Sequence, residues 1–330
     1  MSVVFTRRRV LTVLAAAAGV PLLMRAGSAQ ARLVKWEGTA MGAPASLSIY
    51  HTDEKHARAA IEAAVTELNR LEGIFSLYRA DSAMSQLNRD GALAQAPIEL
   101  VEAMGLALET AAITGGAFDP TVQPLWQAYF THFTAGSADS AGPAAEDIAA
   151  ARALVGWQSV AVENGTIRFE RPGMGVTLNG IAQGIVTDRV AAVLRAHGLE
   201  RMLVDMGEPK ALSAKPDGSA WVIAIADPRD PSRTITSIDA VDKAVATSGG
   251  YGTTFDAAKR FTHLIDPASG TTAPADQSVT VIADSAAKAD ALSTALAVAP
   301  VERHRDIIAS AGGVTALFVS KDGGILRLPA

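Results

Sequence analysis

Apolar residues recur every three or four positions in several stretches of the chain, the spacing of a helix with one buried face. This spacing predicts helices over residues 53–75, 82–87, 99–114, 181–197 and 285–298. In the first of these, the apolar positions include Ala57, Ile61, Ala64, Leu68 and Leu71. Asp119-Pro120 has the pattern of a further helix start, an N-cap followed by proline at the first helical position.

Alternating apolar and polar residues lie between these helices and predict strands. Two strands are expected within residues 33–50, with breaks at Gly38 and Gly42, and single strands over 201–206, 221–226 and 278–284. Hairpins are expected over residues 159–169 and 314–328, because Asn164-Gly165 and Asp322-Gly323 are typical of tight turns. Residues 134–146, rich in Ala, Gly, Ser and Asp, predict a mobile surface loop.

The arrangement of these elements indicates the fold class. Hairpins outnumber regular β-α-β units, so we predict an α+β fold with mixed or antiparallel sheets, flanking helices and a helical subregion. About half of the residues, 49%, are hydrophobic, which is enough for a substantial core. The net charge of −5 argues against nucleic acid as a partner. Cysteine is absent, which excludes disulfides, iron–sulfur clusters, zinc–thiolate sites and thiol nucleophiles.

The amino-terminal residues resemble an export signal. The run Thr6-Arg7-Arg8-Arg9 precedes an apolar stretch over residues 10–24 that is too short for a comfortable membrane span. A cleavage site of the small-x-small type follows at Ala29-Gln30-Ala31. We therefore expect residues 1–31 to be a twin-arginine signal peptide and residues 32–330 to form the mature, periplasmic domain. A retained membrane anchor is the alternative.

Asp290 and Thr294 are the first candidates for a functional site. They are four residues apart, so they lie on the same face of the predicted helix over residues 285–298. A carboxylate and a hydroxyl are oxygen ligands suited to Mg²⁺. The alternative is a solvent-exposed Asp290 and a Thr294 that bonds back to its own helix. We expect Asp290 to be partly exposed.

Three other segments carry residues typical of active sites. His263 precedes the Asp266-Pro267 turn, where it can act as a general acid or base or can simply brace the turn. The small residues of Ser248-Gly249-Gly250-Tyr251 permit the backbone to approach an anion or a flat ring, although a flexible turn has the same composition. Glycines at the start of a predicted helix, at Gly180 and Gly184, are typical of phosphate sites.

In chain order, these segments resemble the motifs of the ApbE-type FAD:protein FMN transferase family over residues 36–299. The matching motifs are Met41-Gly42, Phe75-Ser76-Leu77-Tyr78, Ser85-Gln86-Leu87-Asn88, Gly116-Ala117-Phe118-Asp119-Pro120-Thr121-Val122, Gly180-Ile181-Ala182-Gln183-Gly184, Ser248-Gly249-Gly250-Tyr251, His263-Leu264-Ile265-Asp266-Pro267 and Asp290-Ala291-Leu292-Ser293-Thr294. The resemblance implies the fold of that family. It also implies an enzyme that transfers FMN from FAD to a Thr or Ser hydroxyl of an acceptor flavoprotein and releases AMP.

The same resemblance implies roles for individual residues. Asp290, Thr294 and the main-chain carbonyl of Gly180 would hold Mg²⁺, and His263 would accept the proton of the acceptor hydroxyl. FAD would contact Met41, Tyr78, Ala117, Phe118, Asp119, Thr177, Gln183, Ser248, Gly249, Tyr251 and Ile265.

The chain departs from the family pattern at three places. Thr177 stands where the family usually has Asp, and Gln183 where it has a charged residue, often Lys. The segment Gly207-Glu208-Pro209-Lys210 replaces a common Gly-Gly-Asp. With the preceding Met206, this segment resembles the branch associated with nitrous oxide reductase maturation, which implies a threonine acceptor on a membrane-bound respiratory flavoprotein. The departures leave two rival functions open, a non-catalytic FAD-binding accessory protein and an FAD pyrophosphatase.

Overall fold

The computed structural model describes residues 30–135 and 141–329. The strands are β1 (Arg32–Ala40), β2 (Ala43–His51), β3 (Ala92–Leu93), β4 (Val160–Glu163), β5 (Thr166–Phe169), β6 (Arg201–Asp205), β7 (Pro209–Leu212), β8 (Trp221–Asp227), β9 (Asp230–Ala240), β10 (Ala244–Gly249), β11 (Ser278–Ala283), β12 (Thr315–Val319) and β13 (Ile325–Leu328). The α-helices are α1 (Glu54–Phe75), α2 (Ala83–Asp90), α3 (Ile98–Ile113), α4 (Gln123–Thr134), α5 (Ala145–Arg152), α6 (Ala182–Ala196), α7 (Ala286–Val298) and α8 (His304–Ala311).

Eight of the strands form one sheet in the order β1-β2-β6-β7-β10-β11-β12-β13. Neighbouring strands of this sheet are antiparallel where their pairing is defined. A three-stranded sheet, β3-β5-β4, and a two-stranded hairpin, β8-β9, complete the described strands. The predicted α+β class with antiparallel sheets and flanking helices is therefore confirmed.

The large sheet is covered on both faces. Along β6, Met202 and Val204 belong to the main core with helices α1, α3, α6 and α7, whereas Leu203 belongs to a smaller core. That smaller core also contains Trp221 and Ile223 of the β8-β9 hairpin. Because successive side chains of a strand point to opposite faces, the helices and the hairpin lie on opposite sides of the sheet.

Most predicted elements are confirmed to within a few residues, including the two hairpins. The helices predicted to begin at Asp53, Ser82 and Ser285 are each capped by the side chain of that residue. The predicted break at Gly38 is wrong. Gly38 lies inside β1, paired with Ala45, and the ring of Trp36 packs over it. The glycine makes room for a neighbouring ring and does not end the strand.

Some elements are not foreseen from the sequence. Strand β10 is central and has buried residues at consecutive positions, so it shows no alternation. Its last residues, Ser248 and Gly249, pair with Val279 and Ser278 of β11, so this part of the small-residue segment is strand and not a flexible turn. Strands β3, β7 and β9 and helices α5 and α8 are also absent from the predictions. The helix start predicted at Asp119-Pro120 is confirmed, because Asp119 caps a 3-10 helix that runs directly into α4.

Two predictions fall largely on residues that the structure does not describe. The signal peptide predicted over residues 1–31 has only its last two residues in the described part. The predicted loop over residues 134–146 begins at the end of α4 and reaches into α5, and residues 136–140 lie outside the described residues. Among the described helices, none combines the length and the apolar character that crossing a membrane requires.

Candidate functional site

Helices α6 and α7 are in close contact at Gly184. A Cβ atom there would lie 2.3 Å from the carbonyl oxygen of Ala286, so only glycine permits this contact. The Gly184 N–H donates to Oδ2 of Asp290 at 3.0 Å. Asp290 is only 3% exposed, so the expectation of a partly exposed side chain is wrong. The carboxylate faces α6 because α6 supplies a main-chain donor for it.

Thr294 lies one helical turn after Asp290 and next to Gly180. A Cβ atom on Gly180 would lie 3.0 Å from Oγ1 of Thr294, so two of the predicted metal ligands are neighbours. Oγ1 of Thr294 is also 3.2 Å from Oγ of Ser248, which is in turn 2.7 Å from Oγ of Ser293. The Thr294 hydroxyl is therefore bonded across to strand β10.

The residues that meet here could hold a magnesium ion. The Asp290 carboxylate and the Thr294 hydroxyl are hard oxygen ligands on one face of α7, and Gly180, whose carbonyl is the third predicted ligand, lies next to Thr294. In the described ranges, no three His, Cys, Asp or Glu side chains come together as a metal-binding group. Such a site, with one carboxylate and neutral oxygens, suits Mg²⁺ that is also bound by substrate phosphates.

Phe118 and Asp119 connect this region to a second group of predicted residues. Cε2 of Phe118 would lie 3.3 Å from a Cβ atom on Gly180, so the predicted flavin contact adjoins the predicted metal ligand. Asp119 caps the short 3-10 helix after it: Oδ1 accepts from the N–H and hydroxyl of Thr121 at 2.8 and 2.6 Å, and Oδ2 from the N–H of Trp157 at 3.1 Å. Burial raises the pKa of the Asp119 carboxyl although these hydrogen bonds act to lower it.

Thr177 is buried beside the same turn. Its N–H donates to the carbonyl oxygen of Pro120 at 2.8 Å, and its hydroxyl accepts from the N–H of Asn179 at 3.1 Å. The hydroxyl thus shapes the loop that leads to Gly180. At a position where the family pattern has an acid, this chain has a residue that hydrogen-bonds within its own loop.

Gln183 and the segment over residues 207–210, two of the three departures noted in the sequence, are in contact. Gly207 has φ 112°. A Cβ atom on it would lie 2.3 Å from Nε2 of Gln183, so the buried Gln183 side chain packs on this glycine. Glu208, also buried, accepts from the N–H of Thr247 at 3.2 Å. The segment therefore joins the start of α6 to strand β10.

His263 is half-buried and bonded to the segment that follows Tyr251. Its main-chain N–H and its Nδ1 lie 3.1 and 3.0 Å from the carbonyl oxygen of Thr253. A carbonyl oxygen only accepts, so Nδ1 carries the proton and Nε2 is the basic nitrogen of the neutral ring. The Asp266 carboxylate holds its own turn, accepting from the N–H groups of Ala268 and Ser269 at 3.0 and 3.2 Å.

The other predicted FAD contacts differ in how deeply they are buried. The Tyr251 ring packs on Gly249, where a Cβ atom would lie 2.3 Å from the ring. Ile265 is buried in a small core that includes Phe255. Met41 and Tyr78 lie around the carboxyl end of α1, and Tyr78 is 72% exposed.

Sequence reasoning misses two residues that hold parts of this region in place. Glu72 accepts the N–H of Met41, whose φ of 51° lies in the left-handed region. Asn88 forms two hydrogen bonds with the main chain of Val176, at 2.8 and 2.7 Å, directly before Thr177. Asn88 could have been found, because it belongs to the family motif over residues 85–88. Nothing in the sequence distinguishes Glu72 from other helical glutamates.

Comparison with known proteins decides the family. The sequence profile described as the ApbE family matches residues 41–318. The chain belongs to the ApbE family.

Several ApbE relatives are similar over most of their length. The FAD:protein FMN transferase of Vibrio cholerae is 30% identical over 313 residues, which cover 91% of this chain and 91% of that protein. The enzyme of the same name from Escherichia coli strain K12 is 29% identical over 301 residues, covering 87% of this chain and 84% of that protein. The enzyme class predicted from the sequence is that of these relatives.

Solved ApbE structures agree with the described fold. The flavin transferase ApbE from Vibrio cholerae superposes with a TM-score of 0.75 at 29% identity, covering 90% of this chain and 97% of that one. The ApbE protein of Thermotoga maritima gives a TM-score of 0.78 at 28% identity, with the same coverage. The predicted ApbE fold is confirmed. The assignment to the nitrous oxide branch of the family stays a prediction.

Proposed function

We propose that this chain binds FAD with Mg²⁺ and transfers FMN to a Thr or Ser hydroxyl of an acceptor protein, with release of AMP. The observation that carries the proposal is the meeting of two distant parts of the chain: Gly180 lies against Thr294, and Gly184 bonds to Asp290, 106 positions later in the sequence. Phe118 and Ser248, two predicted FAD contacts, touch the same point. Membership of the ApbE family supports this interpretation.

The residues of the α6-α7 contact would hold the metal and the pyrophosphate of FAD. Asp290, Thr294 and the Gly180 carbonyl are the protein ligands that the family resemblance implies, and all three are oxygen donors of the kind that Mg²⁺ prefers. When bound, Mg²⁺ offsets the negative charge on the phosphate oxygens during transfer. Gly180 also lies just before the amino end of α6, where main-chain N–H groups and the helix dipole favour an anion.

His263 would take the proton of the acceptor hydroxyl as its oxygen attacks the FMN phosphorus. The bond from Nδ1 to Thr253 selects the tautomer in which Nε2 can accept that proton. General-base assistance of this kind contributes roughly 10²–10⁴-fold to a rate. The proton leaves the hydroxyl, the new O–P bond forms and the bond to AMP breaks, so no nucleophile of this chain is needed.

We also propose that the protein works in the periplasm on a respiratory acceptor. The arginine run at residues 7–9, followed by a short apolar stretch, supports export by the twin-arginine route. Met206-Gly207-Glu208-Pro209-Lys210 supports the branch that serves nitrous oxide respiration, with a threonine on a membrane-bound flavoprotein as the acceptor.

An assay of AMP release tests the proposal against its two rivals. The mature protein is incubated with FAD and Mg²⁺, with and without an apo-flavoprotein that carries a threonine acceptor site. We expect AMP only when the acceptor is present. AMP without acceptor would indicate a pyrophosphatase, and FAD binding without any AMP would indicate an accessory protein.

A further inference from the structure

The segment over residues 207–210 bonds to helix α6 and strand β10, two elements next to the candidate metal site. The hydroxyl of Thr187 on α6 donates to the carbonyl oxygen of Glu208 at 2.9 Å. The Glu208 carboxylate accepts from the N–H of Thr247 on β10 at 3.2 Å, next to Ser248. Nζ of Lys210 donates to Oδ1 of Asp188 on α6 at 2.6 Å. Residues 207–210, which depart from the family pattern, thus hold α6 and β10 together next to the candidate site.

Asp188 in turn holds the amino end of α7. Its Oδ1 accepts from the N–H of Ala286 at 3.1 Å, and its Oδ2 accepts from the N–H of Ala287 at 3.1 Å. Oδ2 also accepts from the hydroxyl of Ser285 at 2.8 Å, while that hydroxyl caps the helix by accepting from the N–H of Lys288 at 3.2 Å. A carboxylate at this position accepts hydrogen bonds from helix N–H groups that have no partner within the helix. Its negative charge is also stabilised by the positive end of the helix dipole.

Asp188 and Gly184 form two successive cross-links between α6 and α7. They are four residues apart on α6, as Ala286 and Asp290 are on α7, so the two pairs lie one turn apart along adjoining faces. The Asp188 link fixes where α7 begins, and the Gly184 link joins α6 to the carboxylate of Asp290 itself. Sliding or tilting α7 would therefore require breaking the Asp188 link first.

We propose that Asp188, oriented by Lys210, is a positioning residue that sets Asp290 and Thr294 at the separation from Gly180 that Mg²⁺ requires. This inference rests on the proposed function. Mg²⁺ demands near-ideal octahedral geometry, so its affinity depends on small displacements of its ligands. Residues that orient metal ligands without touching the metal commonly change its affinity 10–100-fold when replaced.

The ion pair between Lys210 and Asp188 can contribute to position, to stability or to both. The two side chains are 18% and 24% exposed, so the pair lies between a buried and a surface ion pair. Loss of Lys210 leaves the three hydrogen bonds of Asp188 with α7 and Ser285 in place, but it frees the carboxylate to shift. A separate measurement of Mg²⁺ affinity and melting temperature can therefore distinguish a positioning role from a merely structural one.

Titration calorimetry of the FAD-loaded protein with MgCl₂ tests the inference. Lys210→Met and Asp188→Asn should each weaken Mg²⁺ binding about 10-fold or more. This is the range of effects seen when residues that orient metal ligands, without binding the metal, are replaced. Lys210→Arg, which keeps the charge, should restore most of the affinity. Glu102→Gln is the matched control, and it should bind Mg²⁺ like the wild type. It breaks an exposed ion pair between Glu102 of α3 and Arg189, which follows Asp188 on α6.

The outcomes separate this inference from the proposed function. A wild-type protein that binds FAD but no Mg²⁺ would overturn both. Wild-type Mg²⁺ affinity in Lys210→Met, or an equal loss of affinity in Glu102→Gln, would overturn the positioning role alone. Should Asp188→Asn fail to fold, Lys210→Met still decides the question, because it leaves the cap of α7 intact. A lowered melting temperature with unchanged Mg²⁺ affinity would show that the pair is structural only.

Discussion

The Asp290 carboxylate has two roles. It is a candidate metal ligand, and it accepts a hydrogen bond from the main-chain N–H of Gly184. A surface helical carboxylate could be replaced at little cost, but a buried one that pairs a main-chain donor cannot. The burial follows from the close contact at Gly184, which brings α6 against the face of α7 that carries Asp290. The proposed metal binding would therefore be coupled to local stability at this residue.

Two substitutions of Asp290 should separate these demands. Asp290→Asn keeps the shape and one acceptor oxygen, so we expect it to abolish Mg²⁺-dependent turnover with little change in stability. Asp290→Ala should abolish turnover and also lower the free energy of unfolding by about 1–3 kcal/mol, because the Gly184 N–H loses its partner. Urea denaturation and Mg²⁺ titration of both variants check this. Wild-type turnover in Asp290→Asn would remove the proposed metal site.

His263 has a predicted role in the transfer step and not in FAD binding. His263→Ala should leave FAD affinity nearly unchanged and lower acceptor labelling by roughly 10²-fold or more. His197→Ala, at the exposed end of α6, is a control that should label the acceptor normally. FAD affinity, melting temperature and labelling are measured on the same preparation. If His263 only braces its loop, FAD affinity and melting temperature fall together and labelling at saturating FAD stays normal.

At the scale of elements, the β8-β9 hairpin is attached to the closing β12-β13 hairpin through Arg229. Its guanidinium donates to both carboxylate oxygens of Asp227, at 2.8 and 2.6 Å, and to the carbonyl oxygen of Asp322 at 3.2 Å. The hydrogen bonds from Arg229 lower the pKa of Asp227 to about 2. This stabilisation is present above the usual Asp pKa of roughly 3.9 and is lost as the pH falls through the pKa of the folded state.

Arg229→Met should therefore change the acid response of the protein. Without the guanidinium, the pKa of Asp227 rises toward its ordinary value, and the stability that the pair contributes above roughly pH 4 disappears. A carboxyl NMR titration should show the shift at Asp227, and acid unfolding should begin at higher pH than in the wild type. Arg79→Met, which removes an exposed pair with Asp81, is the matched control. An unchanged Asp227 titration would contradict the assigned cause.

The sequence predicts helices and strands that carry a local pattern, such as regular hydrophobic spacing or a turn motif. It does not predict elements that form only because neighbouring strands or helices pack against them. Helix α1 and the hairpin at Asn164-Gly165 are predicted because their signals are local. Strand β10 is not, because a central strand without alternation looks like a loop of small residues. Gly38 is misread because glycine is also typical of strand breaks, whereas here it makes room for the ring of Trp36, two residues earlier on the same face of β1.

The same distinction applies to the candidate site across the whole molecule. The motifs and their order identify the family and the residues Asp290, Thr294 and Gly180. They single out Glu208 and Lys210 as part of an unusual segment, but they reveal neither Asp188 nor the contacts of all three residues, which depend on how α6, β7, β10 and α7 meet. Those contacts join residues that are 22 to 98 positions apart in the sequence, so they become visible only when the sheet is assembled.

The intact mass of an acceptor protein tests the central claim most directly. An apo-flavoprotein with a single threonine acceptor is incubated with the mature protein, FAD and Mg²⁺, and its mass is measured. We predict a gain equal to one FMN moiety, absent when the acceptor threonine is replaced by valine and absent with Asp290→Asn. An acceptor whose mass does not change under these conditions, although FAD is bound, would contradict the claim.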